Sequence, residues 1–218
     1  EMLYKQVGVG TRALASRVPG EVLSMMGPIG MPFVIDPERK RPLLLGGGVG
    51  IPPMLFLADT LRNHLNELEP LVIMGSEVPF PFDLNRSETT LPGIPAEVDA
   101  SLALTDEWDI PSRLSSLEGF PGCFEGYITD LARAWIGALP VDHLNEVAVY
   151  ACGPTPMLKA VARFAKDFSL PCQVSLEEHM ACAVGGCAGC TVRVTTSAGA
   201  AMKRICVDGP VFEAAQVF

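Results

Sequence analysis

Four of the seven cysteines lie in the last 37 residues, at Cys182, Cys187, Cys190 and Cys206. The first three follow a C-x4-C-x2-C spacing, and the fourth comes 16 positions after the third. Three thiolates on one tight loop can reach both irons of a [2Fe–2S] cluster, and a fourth arriving on a separate strand closes the cage. Gly185, Gly186 and Gly189 let the backbone bend around the inorganic sulfides and turn its amides toward them. With two ferric irons and two sulfides, four thiolates leave a doubly negative cluster. The competing reading is zinc, which favours paired C-x2-C elements, and this segment holds one such pair. His179, three residues before Cys182, would permit a mixed ligand set, but the four cysteines already fill the shell.

A second chemical feature is Leu43-Leu44-Leu45-Gly46-Gly47-Gly48-Val49-Gly50-Ile51-Pro52-Pro53. An apolar strand, a glycine turn and a helix start make a cradle for a phosphate, because free amides and the helix dipole favour an anion. Ile51 stands where the third glycine of G-x-G-x-x-G would be, and plain packing explains such a turn equally well. Ala151-Cys152-Gly153-Pro154 closes another apolar strand and precedes a helix start, so it is expected on the same sheet edge. Ligands of open α/β sheets bind at that carboxyl edge.

The elements that must carry these loops alternate. Strands are expected at 42–45, 71–74, 98–104 and 147–150, with helices from about Pro52 to Asn66 and, capped by Thr155 with Pro156 behind it, from Thr155 to about Phe168. This alternation predicts an open parallel sheet. Residues 1–37 read as turns and short strands, with a turn at 8–11, a short helix at 11–17 and a strand at 22–26. That block resembles part of a β-barrel. From Cys172 the chain becomes Cys- and Gly-rich, with short strands at 173–176 and 191–194. The expected division is therefore 1–37, 38–171 and 172–218.

Composition narrows the function. Hydrophobic residues make up 49% and charged residues 19% of the 218, enough for a buried core. A net charge of −9 disfavours nucleic acid and anionic membrane surfaces as partners. The uncharged run from Pro42 to Ala58 is shorter than the roughly 20 residues of a membrane span and is broken by glycines and prolines. No basic leader with an apolar stretch opens the chain, so metal ligation in a cytosolic protein is expected rather than disulfides. Glu1 in place of Met suggests a start part-way through a longer protein.

Two edge loops and a redox cluster on one chain resemble the ferredoxin-reductase superfamily, and within it the electron-transfer subunits of two-subunit, NAD-dependent dihydroorotate dehydrogenases. The resemblance is carried by Gly8-Val9-Gly10-Thr11, LLLGGGVGIPPM from Leu43, YACGPTPM from Tyr150, LEEHMACAVGGCAGC from Leu176 and ICVDGPVF from Ile205. It implies a ferredoxin-reductase-like fold: a partial flavin-binding β-barrel, a parallel-sheet NAD-binding domain and a small C-terminal cluster lobe. It further implies that Leu3, Tyr4, Lys5, Gly10 and Thr11 contact FAD. Gly46, Gly47, Gly48 and Gly50 would face the NAD pyrophosphate. Cys152, Gly153 and Pro154 would face the nicotinamide, with Cys152 taking part in catalysis. The family's main flavin motif, of Arg-Pro-x-Ser type, is expected upstream of Leu3 and is not among these residues. The implied partner is an FMN-containing catalytic subunit in a heterotetramer. Two rivals stay open: a reductase subunit of another complex, serving a hydrogenase or a ferredoxin, and a zinc-bound assembly subunit without catalysis.

The choice of nicotinamide cofactor follows locally. Gly75-Ser76-Glu77 succeeds the second strand with no cation before Arg86, which suits the free ribose hydroxyl of NAD. Cys123, Cys172, Met25 and Met26 read as packing residues and His64 as surface. Phe80 and Phe82 read as packing or as walls of an adenine pocket.

Overall fold

The computed structural model describes residues 3–65 and 67–218. In chain order its elements are α1 (Val9–Ala15), β1 (Arg41–Gly47), α2 (Ile51–His64), β2 (Leu71–Gly75), β3 (Leu84–Arg86), β4 (Ala100–Leu102) and α3 (Ala103–Glu107). There follow β5 (Ser112–Ser116), β6 (Phe124–Glu125), α4 (Ile128–Ala138), α5 (Val141–Leu144), β7 (Val147–Cys152), α6 (Thr155–Asp167) and β8 (Cys172–Ser175). The chain closes with β9 (Thr191–Thr196), β10 (Gly199–Arg204), β11 (Val211–Glu213) and α7 (Ala214–Val217).

Seven strands form one sheet in the order β11-β8-β7-β1-β2-β5-β6, parallel except for β11, which runs against β8. Side chains alternate across it, as the strand pleat demands. Leu43, Leu45, Ile73, Val147 and Val149 point to the face covered by α4 and α6. Leu44, Val72, Met74, Ala148 and Tyr150 point to the face covered by α2. Each helix turns an apolar stripe inward. In α2 it is Ile51, Met54, Leu55, Ala58 and Leu61, and in α4 Ile128, Leu131, Ala132, Trp135 and Ile136. Strands buried on both faces read as continuous apolar runs, and Leu43 to Leu45 are fully buried. Each such side chain contributes about 1.5–3 kcal/mol of transfer free energy.

The middle of the chain departs from expectation. Residues 98–104 do not supply the third parallel strand. Ala100–Leu102 pairs only with β3, antiparallel, and runs straight into α3. The third parallel strand is Ser112–Ser116, whose four polar side chains are all buried. Most of their polarity is satisfied internally: the Thr105 and Ser112 hydroxyls are 2.6 Å apart, Ser112 Oγ accepts from the Leu102 amide, and Arg113 donates from Nη1 and Nη2 to the Ser112 and Thr89 carbonyls, while its Nε is buried without a partner. Leaving such groups unpaired would cost about 1–3 kcal/mol each.

Residues 3–40 form no strand. Residues 22–26, expected as one, are irregular, and Met25 and Met26 are exposed rather than packed. A strand needs a neighbour to take its ladder bonds, and among the described residues this segment pairs only at one bridge, Met31 with Pro210. The helix expected at 11–17 begins earlier, at Val9, and absorbs the expected turn. The end proposed for α2 at Asn66 lies outside the described residues. For α6 the cap is Pro154, not Thr155, which is the first helical residue.

The C-terminal segment is tied to the sheet. β8 adds to β7 and β11 adds to β8, so a boundary at 171/172 falls between hydrogen-bonded strands. Between them the β9–β10 hairpin encloses a small core of Cys190, Val194, Ile205, Cys206 and Phe212. Phe212 belongs to β11 and so anchors this core to the large sheet.

Candidate functional site

Three ends of parallel strands meet at one edge. Gly46 on β1 is the register partner of Cys152 on β7, and Cys152 is the register partner of Ser175 on β8. The glycines there are closely packed. A β-carbon on Gly46 or Gly47 would strike the sulfur of Met74 or of Met157, and one on Gly153 would lie 2.6 Å from Met157 Cε. Gly48 differs. It has φ +54, in the region that favours glycine, and nothing stands within 4 Å of where its β-carbon would be. Its side of the loop is open to a ligand.

The anion donors are displaced from where the sequence suggests. Pro52 and Pro53 occupy the first turn of α2 and carry no N–H, so this helix start lacks two of its usual free amides. The donors move one turn back. Gly48 and Val49 open a short 3₁₀ turn over Gly48–Gly50, and amides at the start of such a turn have no partner inside it.

Beside this edge lies a cavity of about 310 Å³. One wall is Val49, Gly50, Pro53, Cys152 and Gly153. The cluster segment contributes Leu176, Met180, Ile205 and Pro210 to its lining, and Leu3 and Ile29 also line it. Burial pushes the Cys152 thiol up to about 11, and a hydrogen bond with Ser175 only partly offsets it. The thiol is therefore protonated at neutral pH. The sequence reading gives Ser175, Leu176 and Glu177 no role at this edge. Had β8 been assigned to the parallel sheet, its carboxyl end would have placed them at this edge.

At the far side of the Ile205 wall the four C-terminal cysteines form two pairs. Cys182 is in hydrogen-bond contact with Cys187, whose amide donates to the Cys182 sulfur at 3.4 Å. Cys190 is in contact with Cys206. The Cys187 amide first, then those of Val184 and Gly186, hold the Cys182 thiol down to about 6. The Cys206 amide lowers Cys190, whereas burial raises Cys206. The Gly189 amide points at the Cys187 sulfur at 3.4 Å. Among the described residues no three His, Cys, Asp or Glu converge tightly enough for a single metal ion. Two thiol pairs ringed by amides fit the four-thiolate donor set of a two-iron cluster. Cys206 sits in the turn after β10, not on a strand. His179 is exposed.

The remaining sites are distributed unevenly. Leu3 reaches the cavity, while Tyr4 is half-buried and Lys5 exposed. Gly10 and Thr11 lie in the first turn of α1. There the Thr11 hydroxyl accepts from the Val7 and Gly8 amides at 3.0 Å, and nothing stands within 4 Å of a β-carbon built on Gly10. Ser76 and Glu77 follow the end of β2 on the same sheet edge. Phe80 and Phe82 line a separate cavity of about 510 Å³ with Asp83 and Glu107. Cys123 packs on the α2 face and Cys172 is buried. Among the described residues no helix is long and apolar enough to cross a membrane.

Comparison with known proteins agrees with this geometry. Residues 177–218 match the family described as the iron-sulfur cluster binding domain of dihydroorotate dehydrogenase B. The electron transfer subunit of dihydroorotate dehydrogenase B (NAD(+)) from Caldanaerobacter subterraneus subsp. tengcongensis is 35% identical over 99% of this chain and 74% of its own length. The same subunit of a Geobacillus species is 33% identical over 99% and 73%. Among solved structures, an NADH-dependent reduced ferredoxin-NADP oxidoreductase that performs flavin-based electron bifurcation superposes with a TM-score of 0.69. It is 27% identical and matches 99% of this chain and 67% of its own.

Proposed function

The chain belongs to the family of dihydroorotate dehydrogenase B electron transfer subunits, and from that premise we propose that it carries electrons from an FMN-containing, dihydroorotate-oxidising partner to NAD, by way of a [2Fe–2S] cluster and FAD, in pyrimidine biosynthesis. The observation that carries this reading is the cavity shared by the two sites. It touches the Gly50–Cys152–Gly153 edge on one side and Ile205, the neighbour of Cys206, on the other. A flavin ring held there would be bordered by the residues assigned to the nicotinamide and by the neighbour of a cluster cysteine.

When bound, the cluster supplies one-electron transfer, the flavin couples one-electron to two-electron chemistry, and NAD accepts a hydride. The chain's own residues hold and shield these groups. Cys182, Cys187, Cys190 and Cys206 would ligate the irons, and the amides around Cys182 stabilise its thiolate. Ile205, 1% exposed, keeps water out between cavity and cluster, and its amide bonds the Cys190 carbonyl at 3.0 Å. Gly46, Gly47, Gly48 and Gly50 admit the NAD pyrophosphate, with the Gly48 and Val49 amides as donors. Gly153 and Pro154 border the nicotinamide. Cys152, neutral at physiological pH, gives the nicotinamide a polar but uncharged neighbour. Leu3, Tyr4, Lys5, Gly10 and Thr11 line the FAD side. The assembly is a heterotetramer in the cytoplasm.

The test is anaerobic purification of the full-length protein with its partner. Iron and labile sulfide at about two each per chain are expected, together with flavin and with NAD reduction by dihydroorotate. Zinc without iron or sulfide rejects the redox reading. Turnover with another redox enzyme, and none with dihydroorotate, keeps the cofactors and reassigns the substrate.

A further inference from the structure

The loop between Cys182 and Cys187 is held from outside by one cation. Arg204, the last residue of β10, donates from Nη1 to the Gly185 carbonyl at 3.1 Å. Gly185 makes this approach possible: it has φ +80, and a β-carbon on it would lie 3.2 Å from Arg204 Nη1 and 2.6 Å from Val207 Cγ2. The guanidinium is fixed from behind. Asp208 Oδ2 accepts from the Arg204 amide at 2.8 Å and from its Nε at 3.4 Å, while Lys203 reaches Asp208 Oδ1 at 3.4 Å. Two cations thus share one carboxylate, and one positive charge remains in excess beside the loop.

The Gly185 carbonyl belongs to the same peptide unit as the Gly186 amide, which lies close enough to the Cys182 sulfur to lower its thiol, one residue before the Cys187 amide that donates to that sulfur at 3.4 Å. A cation drawing on the carbonyl oxygen of a peptide makes its N–H a stronger donor, because the two dipoles polarise each other. A stronger donor to a ligand sulfur, and a positive charge nearby, both favour the reduced cluster. One electron entering converts one ferric iron to ferrous and adds one negative charge, with no bond made or broken.

We propose that Arg204 is a positioning residue that, through the peptide joining Gly185 to Gly186, orients and polarises the cluster loop and raises the cluster's reduction potential. This rests on the reading of Cys182, Cys187, Cys190 and Cys206 as cluster ligands. It assigns part of the driving force for electron arrival to a residue that touches neither metal nor substrate.

The experiment is a mediator-equilibrated redox titration of the holoprotein followed by electron paramagnetic resonance, with iron and sulfide measured on each sample. Arg204→Gln is expected to keep its iron and to lower the reduction equilibrium constant about tenfold, a fall of about 59 mV for a one-electron couple, with altered g-values. Lys203→Gln, which leaves the Gly185 bond in place, is expected to shift it less than about twofold. An iron-replete Arg204→Gln with an unchanged midpoint overturns the proposal, as does an equal fall in Lys203→Gln, which would make the effect one of net charge alone. If Arg204→Gln assembles no cluster, Arg204→Lys carries the test, because a hydrated ammonium does not reproduce the fixed fork of the guanidinium. A lower midpoint there supports the proposal and an unchanged one overturns it. Absence of iron and sulfide from the parent protein would instead sink the cluster reading itself.

Discussion

Gly50 and Cys152 are in backbone contact: a β-carbon on Gly50 would overlap the Cys152 carbonyl and lie 2.6 Å from the Gly153 nitrogen. The two loops expected to hold NAD are therefore parts of one packed surface. Any side chain at 50 must push them apart. Gly50→Ala is expected to cost about 1–3 kcal/mol of stability, as overpacking does, and to raise KM for NADH at least about tenfold, while the visible spectrum of the cluster stays the same. Thermal unfolding together with a dye-reduction assay checks both. An unchanged KM would detach the glycine loop from NAD binding.

Cys206, 4% exposed, belongs with Cys190 to the lobe core. Cys206→Ala is expected to lose iron and sulfide and to cut dihydroorotate-driven NAD reduction by about a hundredfold or more. NADH-to-dye activity, which needs only flavin, should persist within about threefold, since the cavity wall at Cys152 and Gly153 is untouched. Loss of both activities together would show that the lobe is needed for folding of the flavin side.

Cys152 and Cys172 carry a pH signature. Burial is the main cause of both raised values, about 11 and about 12 against an ordinary 9.0. Between pH 9 and 11 the unfolded thiol at 152 loses its proton while the folded one keeps it. The folded state then binds more protons, so stability falls as pH rises through this window and is unaffected below it. Urea unfolding at pH 8, 9 and 10 should show the decline, and Cys152→Ser should make it shallower by about a half. In the same window, alkylation of Cys152 by iodoacetamide should accelerate only above pH 9, as mass spectrometry of the 152 peptide will show.

Ser76 and Glu77 follow β2 with no cation among them to meet a 2′-phosphate. NADPH is expected to show a kcat/KM at least about tenfold below that of NADH, since like charges brought together cost more than 1.4 kcal/mol. Ser76→Arg should narrow the gap. Comparable values for the two cofactors in the parent protein would remove the argument.

The chemistry was legible because it depends on short spacings. C-x4-C-x2-C needs only a loop, and Leu43 to Gly50 announces a buried strand followed by a turn wherever the rest of the chain lies. In the fold the four cysteines lie in two pairs, and the glycine loop meets Cys152. The strands β1, β2 and β7 were legible for the same reason, being apolar on both faces.

Other features became visible only in the assembled fold. Ser112 to Ser116 looks like a surface segment, yet it is a core strand in which Thr105 and Leu102 partner the Ser112 hydroxyl and Thr89 takes a bond from Arg113, and those partners are up to 24 residues away. Residues 22–26 have strand-like composition and no strand, because a ladder needs a neighbour. Ser175, Leu176 and Ile205 became cavity walls only once β8 joined β7 and the hairpin folded against it. By itself, then, the sequence determined which residues can bind metal and phosphate, since that is set by side-chain type and local backbone freedom. The tertiary structure decided which of them share a cavity and which polar strand is buried, since burial and hydrogen-bond satisfaction are sums over neighbours distant in the chain.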